Sequence, residues 1–264
     1  MPVVTSRGCP MKCVFCSAKK VWGLNYRKRS PENVIKELKY LKEKFSIQEI
    51  LFEDDNLTLD VKRAETLFEM MINERLDLAW DTPNGVAAFS LNENTIKLMK
   101  ESGCFNLNLA IESGNQNDLI NVIKKPVDLN KVEKLIKYAK SIGLNTGIFL
   151  VIGIPGQTIK SMKDSFKYSA KLRIYDPFIS IATPYPASEL YEICKIKGYI
   201  SKDMDSDKLG IYKANITTPE FTPERLVELR NELCNYMIWQ ERLNNPKKLL
   251  KDIINKIFPK KFNH

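Results

Sequence analysis

A regular alternation of short β-rich runs with longer amphipathic stretches limits this chain to few folds. The runs lie at Pro2–Thr5, Ile47–Glu53, Leu78–Asp81, Cys104–Ile111, Leu144–Ile152 and Phe178–Thr183. Between them, one stretch opens at Pro31, and others cover Val61–Glu74, Glu93–Ser102, Leu129–Ser141, Ile159–Lys171 and Ala187–Lys197. In the first stretch Val34, Ile35, Leu38 and Leu41 share one helical face, with Ser30 as the expected N-cap and Pro31 in the first turn. Gly103 and Gly143 stand where helices must stop before the next strand. Strand and helix in series predict an α/β fold with a parallel sheet and right-handed crossovers. Six units are too few for the usual eight-stranded barrel; they suffice for an open, partial one. The series occupies residues 1–214, and a C-terminal helical extension is expected over 215–264.

Polar and glycine-rich clusters fall at one rim, the carboxyl ends of the strands, where barrel enzymes place their sites. They are Glu53-Asp54-Asp55-Asn56, Thr82-Pro83-Asn84-Gly85, Glu112-Ser113-Gly114-Asn115, Gly153-Ile154-Pro155-Gly156-Gln157-Thr158 and Pro184-Tyr185-Pro186. A carboxylate at a strand end is also a common helix N-cap, and a Gly-x-Pro-Gly segment a common turn. The first rim loop carries Cys9, Cys13 and Cys16 in a C-x3-C-x2-C spacing. Three thiolates in one short loop can hold three corners of an iron–sulfur cube, leaving one iron open for chemistry. A structural zinc site needs four ligands, and the only histidine is His264. A disulfide plus a leftover thiol would suit a secreted chain. No cationic-then-apolar leader is seen, so a cytoplasmic location is expected. Arg7, Lys12, Lys19 and Lys20 place positive charge around thiols that must ionise to bind metal. Cys104, Cys194 and Cys234 read as buried or inert thiols.

The loop, with Phe15 before the last cysteine, resembles the C-x3-C-x-aromatic-C signature of the radical S-adenosylmethionine (SAM) enzymes. That resemblance implies a partial (β/α)6 TIM-like barrel. It implies a [4Fe-4S] cluster on Cys9, Cys13 and Cys16, with SAM chelating the open iron. One electron passed to the sulfonium would yield methionine and a 5′-deoxyadenosyl radical, which removes hydrogen from an unactivated carbon. By the same resemblance Phe15 lies against adenine. Glu112 and Ser113 match a strand-four pair near the ribose and methionyl part. Ile152, Gly153 and Pro155 belong to a strand-five segment that touches adenine. Asp54 and Asp55 stand where many members carry Gly-Gly-Glu, and look like an Asp-Asp version found in one subgroup. Their carboxylates suit the SAM amino group or ribose hydroxyls.

Thr5-Ser6-Arg7-Gly8-Cys9-Pro10, Asp54-Asp55-Asn56, Asn84-Gly85-Val86, Ile111-Glu112-Ser113-Gly114-Asn115 and Gly153-Ile154-Pro155-Gly156-Gln157-Thr158 together resemble the cobalamin-associated branch. Pro184-Tyr185-Pro186-Ala187-Ser188-Glu189-Leu190-Tyr191 is similar to that branch's Pro-x-Pro-Gly-Thr-Glu-Leu-Tyr segment, departing at Ala187-Ser188. Members typically carry a cobalamin-binding domain before the cysteine loop, whereas Cys9 stands almost at the start here. Three readings stay open. Another chain supplies cobalamin and the reaction is methyl transfer; cobalamin is not used, leaving hydrogen abstraction followed by oxidation, rearrangement, cyclisation or coupling; or the sequence is a fragment.

The balance of 41 basic and 32 acidic residues, net +9, suits docking of an acidic electron donor such as ferredoxin or flavodoxin. A lysine-rich solvated surface accounts for it equally, and no RNA-binding signature favours nucleic acid. No apolar run approaches the roughly 20 residues that span a bilayer. Glu224–Asn244 reads as a helix capped by Thr222-Pro223. A second, basic amphipathic helix follows Pro246, with Leu249, Leu250, Ile253, Ile254, Ile257 and Phe258 on one side. Edge covering or partner docking is expected of it before membrane contact. Two other classes compete with a complete radical enzyme: a noncatalytic iron–sulfur electron carrier, and an inactive catalytic half needing a separate cobalamin-binding subunit. The substrate is not legible.

Overall fold

The computed structural model describes residues 1–201, 209–247, 249 and 250. Its strands are β1 (Pro2–Val3), β2 (Ser6–Arg7), β3 (Arg27–Lys28), β4 (Glu49–Phe52), β5 (Ala79–Asp81), β6 (Asn106–Glu112), β7 (Asn145–Ile152) and β8 (Phe178–Ile181). Its α-helices are α1 (Ala18–Val21), α2 (Pro31–Phe45), α3 (Val61–Asn73), α4 (Glu93–Glu101), α5 (Leu129–Ser141), α6 (Ile159–Lys171), α7 (Glu189–Ile196) and α8 (Pro223–Asn244).

Six strands run parallel in the order β1-β4-β5 and β6-β7-β8. Single bridges at Trp80–Cys104 and Val86–Leu109, both parallel, join β5 and the segment after it to β6. The result is the partial (β/α)6 barrel expected from the alternation, with helices on its outer face. The helices begin where short polar side chains cap them. Ser30 accepts from the Asn33 N–H at 3.2 Å ahead of Pro31. Asp60, Asn92, Asp128 and Thr222 cap α3, α4, α5 and α8 in the same manner. At α6, Thr158 and Ser161 form a reciprocal capping box. Helix α7 starts at Glu189, two residues later than the pattern suggests. Ala187 takes φ 73°, and Ser188 becomes the cap.

Phe52, Phe68 and Trp80 are fully buried between the first half-barrel and its helices. Phe68 stacks on Trp80 at 5.1 Å, and Phe52 meets it edge-on at 5.2 Å. The indole N–H donates to the Ser102 carbonyl at 3.1 Å, so the ring is buried with its polar atom satisfied.

Two irregular features shape the rim. Strands β2 and β3 form a two-pair antiparallel hairpin that closes residues 8–26 into a flap after β1. A π-helical segment, Asp118–Ile123, follows β6 and ends at Lys124 with φ 61°. Helix α8 buries Leu226, Leu229, Leu233 and Met237 and packs against α6. Beyond its first residues, the second C-terminal helix expected after Pro246 lies outside the described residues. No described helix is long and apolar enough to cross a membrane.

Candidate active site

The cysteine loop is held from several sides. Gly8 adopts φ +88°, and a Cβ there would overlap the Asn25 carbonyl of the flap. The Gly8 N–H donates to Asp55 Oδ2 at 3.2 Å. Between Cys13 and Cys16, the Val14 N–H donates to the Ile123 carbonyl at 3.1 Å, and its own carbonyl accepts from Leu190 at 2.8 Å. The π-helical segment and α7 therefore grip the backbone that presents the thiols.

Cys9, Cys13 and Cys16 line one cavity of about 260 Å³ with Phe15, Asp55, Asn56, Asn84, Glu112 and Lys125. All six cysteines are free thiols, and Cys104, Cys194 and Cys234 lie away from this cavity. Among the described residues, no three cysteine, histidine or acidic side chains converge tightly enough to share one ion. Three thiols spaced around a cavity suit a group that offers each its own metal, as an iron–sulfur cluster does. The thiol chemistry fits as well. Burial pushes Cys13 up to about 12 and raises Cys9 and Cys16, while the Lys125 cation pulls all three back. Such thiols stay protonated until a metal takes the proton's place. The buried Asn56 Nδ2 has no hydrogen-bond partner within the protein, leaving a donor for a bound group.

The strongest electrostatic feature of the wall is an ion pair. Lys125 Nζ donates to Glu112 Oε1 at 2.8 Å, with both side chains less than one-tenth exposed. Burial drives the Lys125 pKa down, but Glu112 and then Cys13 more than offset this, and the net shift is upward. Glu112 reaches the cavity through a register shift at the end of β6 and holds φ 72°. A non-glycine residue in that region costs of order 1 kcal/mol, a strain that clusters at functional sites. The π-helical segment carries its chain on so that Lys125 enters the cavity, while the neighbouring Lys124 turns out to pair with Glu189.

Of the residues expected to touch SAM, the cavity gathers Phe15, Asp55 and Glu112. The other five lie elsewhere. The buried Asp54 carboxylate turns back to the junction of β1 and β2, accepting from the Thr5 N–H at 3.0 Å, the Thr5 hydroxyl at 2.8 Å and the Ser6 hydroxyl. Ser113 is fully buried, sharing a hydrogen bond with Ser165 at 3.0 Å and accepting from the Asn115 N–H. Ile152 is fully buried in the core. At Gly153 the room left by the missing side chain is taken by α8, whose Leu226 Cδ1 would lie 2.7 Å from a Cβ. Pro155 sits in the turn closed by the Gln157 N–H donating to the Ile154 carbonyl at 2.9 Å. A second cavity of about 370 Å³ shares Phe15, Asn84 and Glu112 with the first and runs toward Val151, Ser180, Ala182 and Tyr185. Lys125 was not singled out from the sequence; its only signal there is a lysine pair before Pro126, with nothing to show which of the two turns inward.

The model for the Radical SAM superfamily matches residues 3–169. This chain belongs to the radical SAM superfamily. The three-thiol cavity, its buried ion pair and the free Asn56 donor fit the [4Fe-4S] cluster and SAM that such membership implies. Cytidylyl-2-hydroxyethylphosphonate methyltransferase of Streptomyces wedmorensis is 34% identical over 221 residues, 81% of this chain and 41% of the relative. An uncharacterised methyltransferase of Pyrococcus horikoshii is 35% identical over 251 residues, 95% and 53% of the two chains. This radical SAM chain thus spans about half the length, or less, of these curated relatives. Among solved structures, the cobalamin-dependent SAM radical enzyme OxsB, with aqua-cobalamin and SAM bound, superposes with a TM-score of 0.69. It is 15% identical, covering 98% of this chain and 48% of that one. The radical SAM methyltransferase TsrM from Kitasatospora setae gives 0.68 at 18% identity, covering 75% and 40%. Both show the same fold.

Proposed function

We propose that this chain cleaves SAM at a cluster held by Cys9, Cys13 and Cys16, and that the cleavage serves methylation of a substrate. The observation that carries the site reading is the buried Glu112–Lys125 pair on the wall of the three-thiol cavity. An amino acid headgroup is a zwitterion, and a carboxylate beside an ammonium presents its complement. Glu112 accepts from the SAM ammonium. Lys125, with N–H bonds beyond the one it gives Glu112, donates to the carboxylate. Phe15 lends a flat apolar face to the adenine, and Asp55 and Asn56 offer an acceptor and a donor to the ribose. Asp54, Ser113, Ile152, Gly153 and Pro155 act in this reading as positioning residues behind the wall. When bound, the cluster and SAM supply one-electron cleavage of a sulfonium carbon–sulfur bond. The protein's part is to orient the headgroup and keep water from the reacting atoms.

The methyl transfer rests on the two relatives above 30% identity, both named as methyltransferases. The methyl carrier in this reading is cobalamin, and the reductant is a low-potential ferredoxin or flavodoxin. Residues 1–214 form the catalytic core, and the extension begins at 215. The test is anaerobic reconstitution of the full chain, followed by iron and sulfide analysis. Assays of 5′-deoxyadenosine and S-adenosylhomocysteine are then run with and without cobalamin. Iron and sulfide that disappear in Cys13→Ala, together with SAM cleavage, support the site. Zinc in place of iron, or unchanged cleavage by Cys13→Ala, overturns it. Products indifferent to cobalamin overturn the methyl-transfer part alone.

A further inference from the structure

The proposed chemistry consumes one electron per SAM cleaved, and that electron must enter from outside the protein. We propose that the flap over the cysteine loop is the docking surface for an acidic one-electron carrier protein. This inference rests on the cluster assignment above and adds the place and the chemistry of electron entry.

From Ser6 to Pro31 the chain carries Arg7, Lys12, Lys19, Lys20, Arg27, Lys28 and Arg29 and not one acidic residue. Lys28 and Arg29 are spoken for by Asp60 and Glu37. Among the described residues, Arg7, Lys20 and Arg27 form no ion pair, and all three are exposed. Arg7 and Arg27 stand directly opposite each other in the β2–β3 hairpin. Like charges in that position destabilise a hairpin, and this hairpin has only two residue pairs with which to offset the cost. A partner bearing negative charge would relieve the repulsion.

The centre of the same surface is apolar. Val21, Trp22 and Leu24 are 64%, 42% and 47% exposed, an uncommon degree for three large side chains within four residues. Arg7 lies over the Trp22 ring at 5.6 Å, which binds the charged rim to the apolar centre. An apolar core within a ring of cations is the composition of a transient protein interface with an acidic partner.

Its position matches the task. The Ala18 N–H donates to Cys16 Sγ at 3.4 Å, so α1 starts on the thiol itself. Four helical residues then lead to Trp22, about 6 Å of helix at 1.5 Å per residue. Lys19, on the same helix, lines the three-thiol cavity. A carrier seated on Val21, Trp22 and Leu24 is one short helix away from the Cys16 thiol. In the step itself the reduced carrier, a flavin or iron–sulfur protein, loses one electron and the cluster gains it. No bond forms or breaks and no proton moves.

The test uses the reconstituted full chain and stopped-flow bleaching of the cluster by flavodoxin hydroquinone. Reduction by the wild type should slow steeply as salt is raised. Lys20→Glu combined with Arg27→Glu should lower the second-order rate at least tenfold at low salt. Trp22→Ser should slow it at every salt concentration. Reduced methyl viologen, small and cationic, should reduce all variants at least as fast as the wild type. Charge-reversed protein that accepts electrons from flavodoxin at the wild-type rate overturns the proposal. So does loss of RNA binding in these variants with the flavodoxin rate intact, which would assign the patch to nucleic acid. Binding of oxidised flavodoxin to the cluster-free full chain is measured in parallel. Should no cluster form, the site reading fails. The docking surface then stands or falls on whether Lys20→Glu with Arg27→Glu abolishes that binding.

Discussion

Replacing Lys125 with methionine removes the buried cation of the cavity wall while nearly conserving side-chain length. Because both members of the Glu112–Lys125 pair are less than one-tenth exposed, solvent screens their interaction little. Taking away one partner of a buried pair typically costs about 3–5 kcal/mol, because the survivor is left charged and unpaired. The pair borders a cavity that water can enter, which puts the expected loss near the lower figure, about 3 kcal/mol. At roughly 2–4 °C per kcal/mol for a chain of this size, the melting temperature should fall by about 6–12 °C. Glu112→Gln added to Lys125→Met removes the orphaned charge and should recover much of the loss. The pH dependence follows from the same pair. Glu112 raises the Lys125 pKa over the opposing effect of burial. The wild-type contribution is therefore complete below the unfolded lysine value of about 10.4, and is lost as pH climbs through the raised folded value. In Lys125→Met the carboxylate is left buried without its cation, so the penalty stands in full at neutral pH. The assay is thermal and urea unfolding of the cluster-free protein under reducing conditions, between pH 5.5 and 8.5. A Lys125→Met protein as stable as the wild type at pH 7.5, or a double variant no more stable than the single, would refute the claim of a preformed pair.

Three further outcomes follow from the same geometry. Gly8→Ala forces a side chain against the Asn25 carbonyl at φ +88°; it should destabilise the chain by about 1–3 kcal/mol and lower the iron taken up on reconstitution, both read on one preparation. Raised above its unfolded value to about 12, the Cys13 thiol stabilises the cluster-free fold fully below about pH 8.5. That contribution should drain away as pH rises toward 12, visible in urea midpoints of wild type and absent in Cys13→Ala. Leu226→Ala empties the space over Gly153 and should cost about 2–5 kcal/mol, with Gly153→Ala added to it less damaging than Gly153→Ala alone, by denaturant titration.

What could be read from the sequence was what repeats. The six barrel strands and the helices between them announce themselves through alternating and helical periodicities and through caps such as Ser30 and Thr158, because each uses local rules. The cysteine spacing is local too, and the cavity holds all three thiols. The polar wiring was not legible. Asp54 and Asp55 are adjacent and chemically identical. Yet Asp54 points back to Thr5 and Ser6, while Asp55 faces the cavity. Residues β1 to β4 apart in sequence decide that difference, and no window around position 54 contains them. Inside the barrel, Asn106, Asn108 and Asp81 form a hydrogen-bonded row with Asn108 Nδ2 at 3.1 Å and 3.2 Å from the two Asp81 oxygens. Asparagines are ordinarily depleted in strands; here two of them and an aspartate satisfy one another.

The backbone features that escaped prediction share a physical origin. Gly8 at φ +88°, Glu112 at φ 72° and the π-helical turn before Lys125 are all departures from regular backbone. Each departure ends on the three-thiol cavity. Gly8 lets the flap close against the loop, Glu112 leaves the strand path to enter the wall, and the π-helical turn delivers Lys125 to it. A regular β6 would keep Glu112 in the strand's alternating register. A regular helix would move the lysine pair by one residue and place Lys124 where Lys125 stands. The buried pair therefore exists only because two irregularities, one in a strand and one in a helix, coincide in space. Removing the π-helical turn by deleting Val122 discriminates between a tolerated accident and a positioning device. If the turn matters only as one inserted residue, its deletion closes the helix and, by the same count, leaves Lys125 in its place, so the shortened chain should keep both its barrel and the alkaline stability transition of the Glu112–Lys125 pair. A lost transition would mean that more than the count of residues sets the lysine's place, and the argument from coincidence would fail.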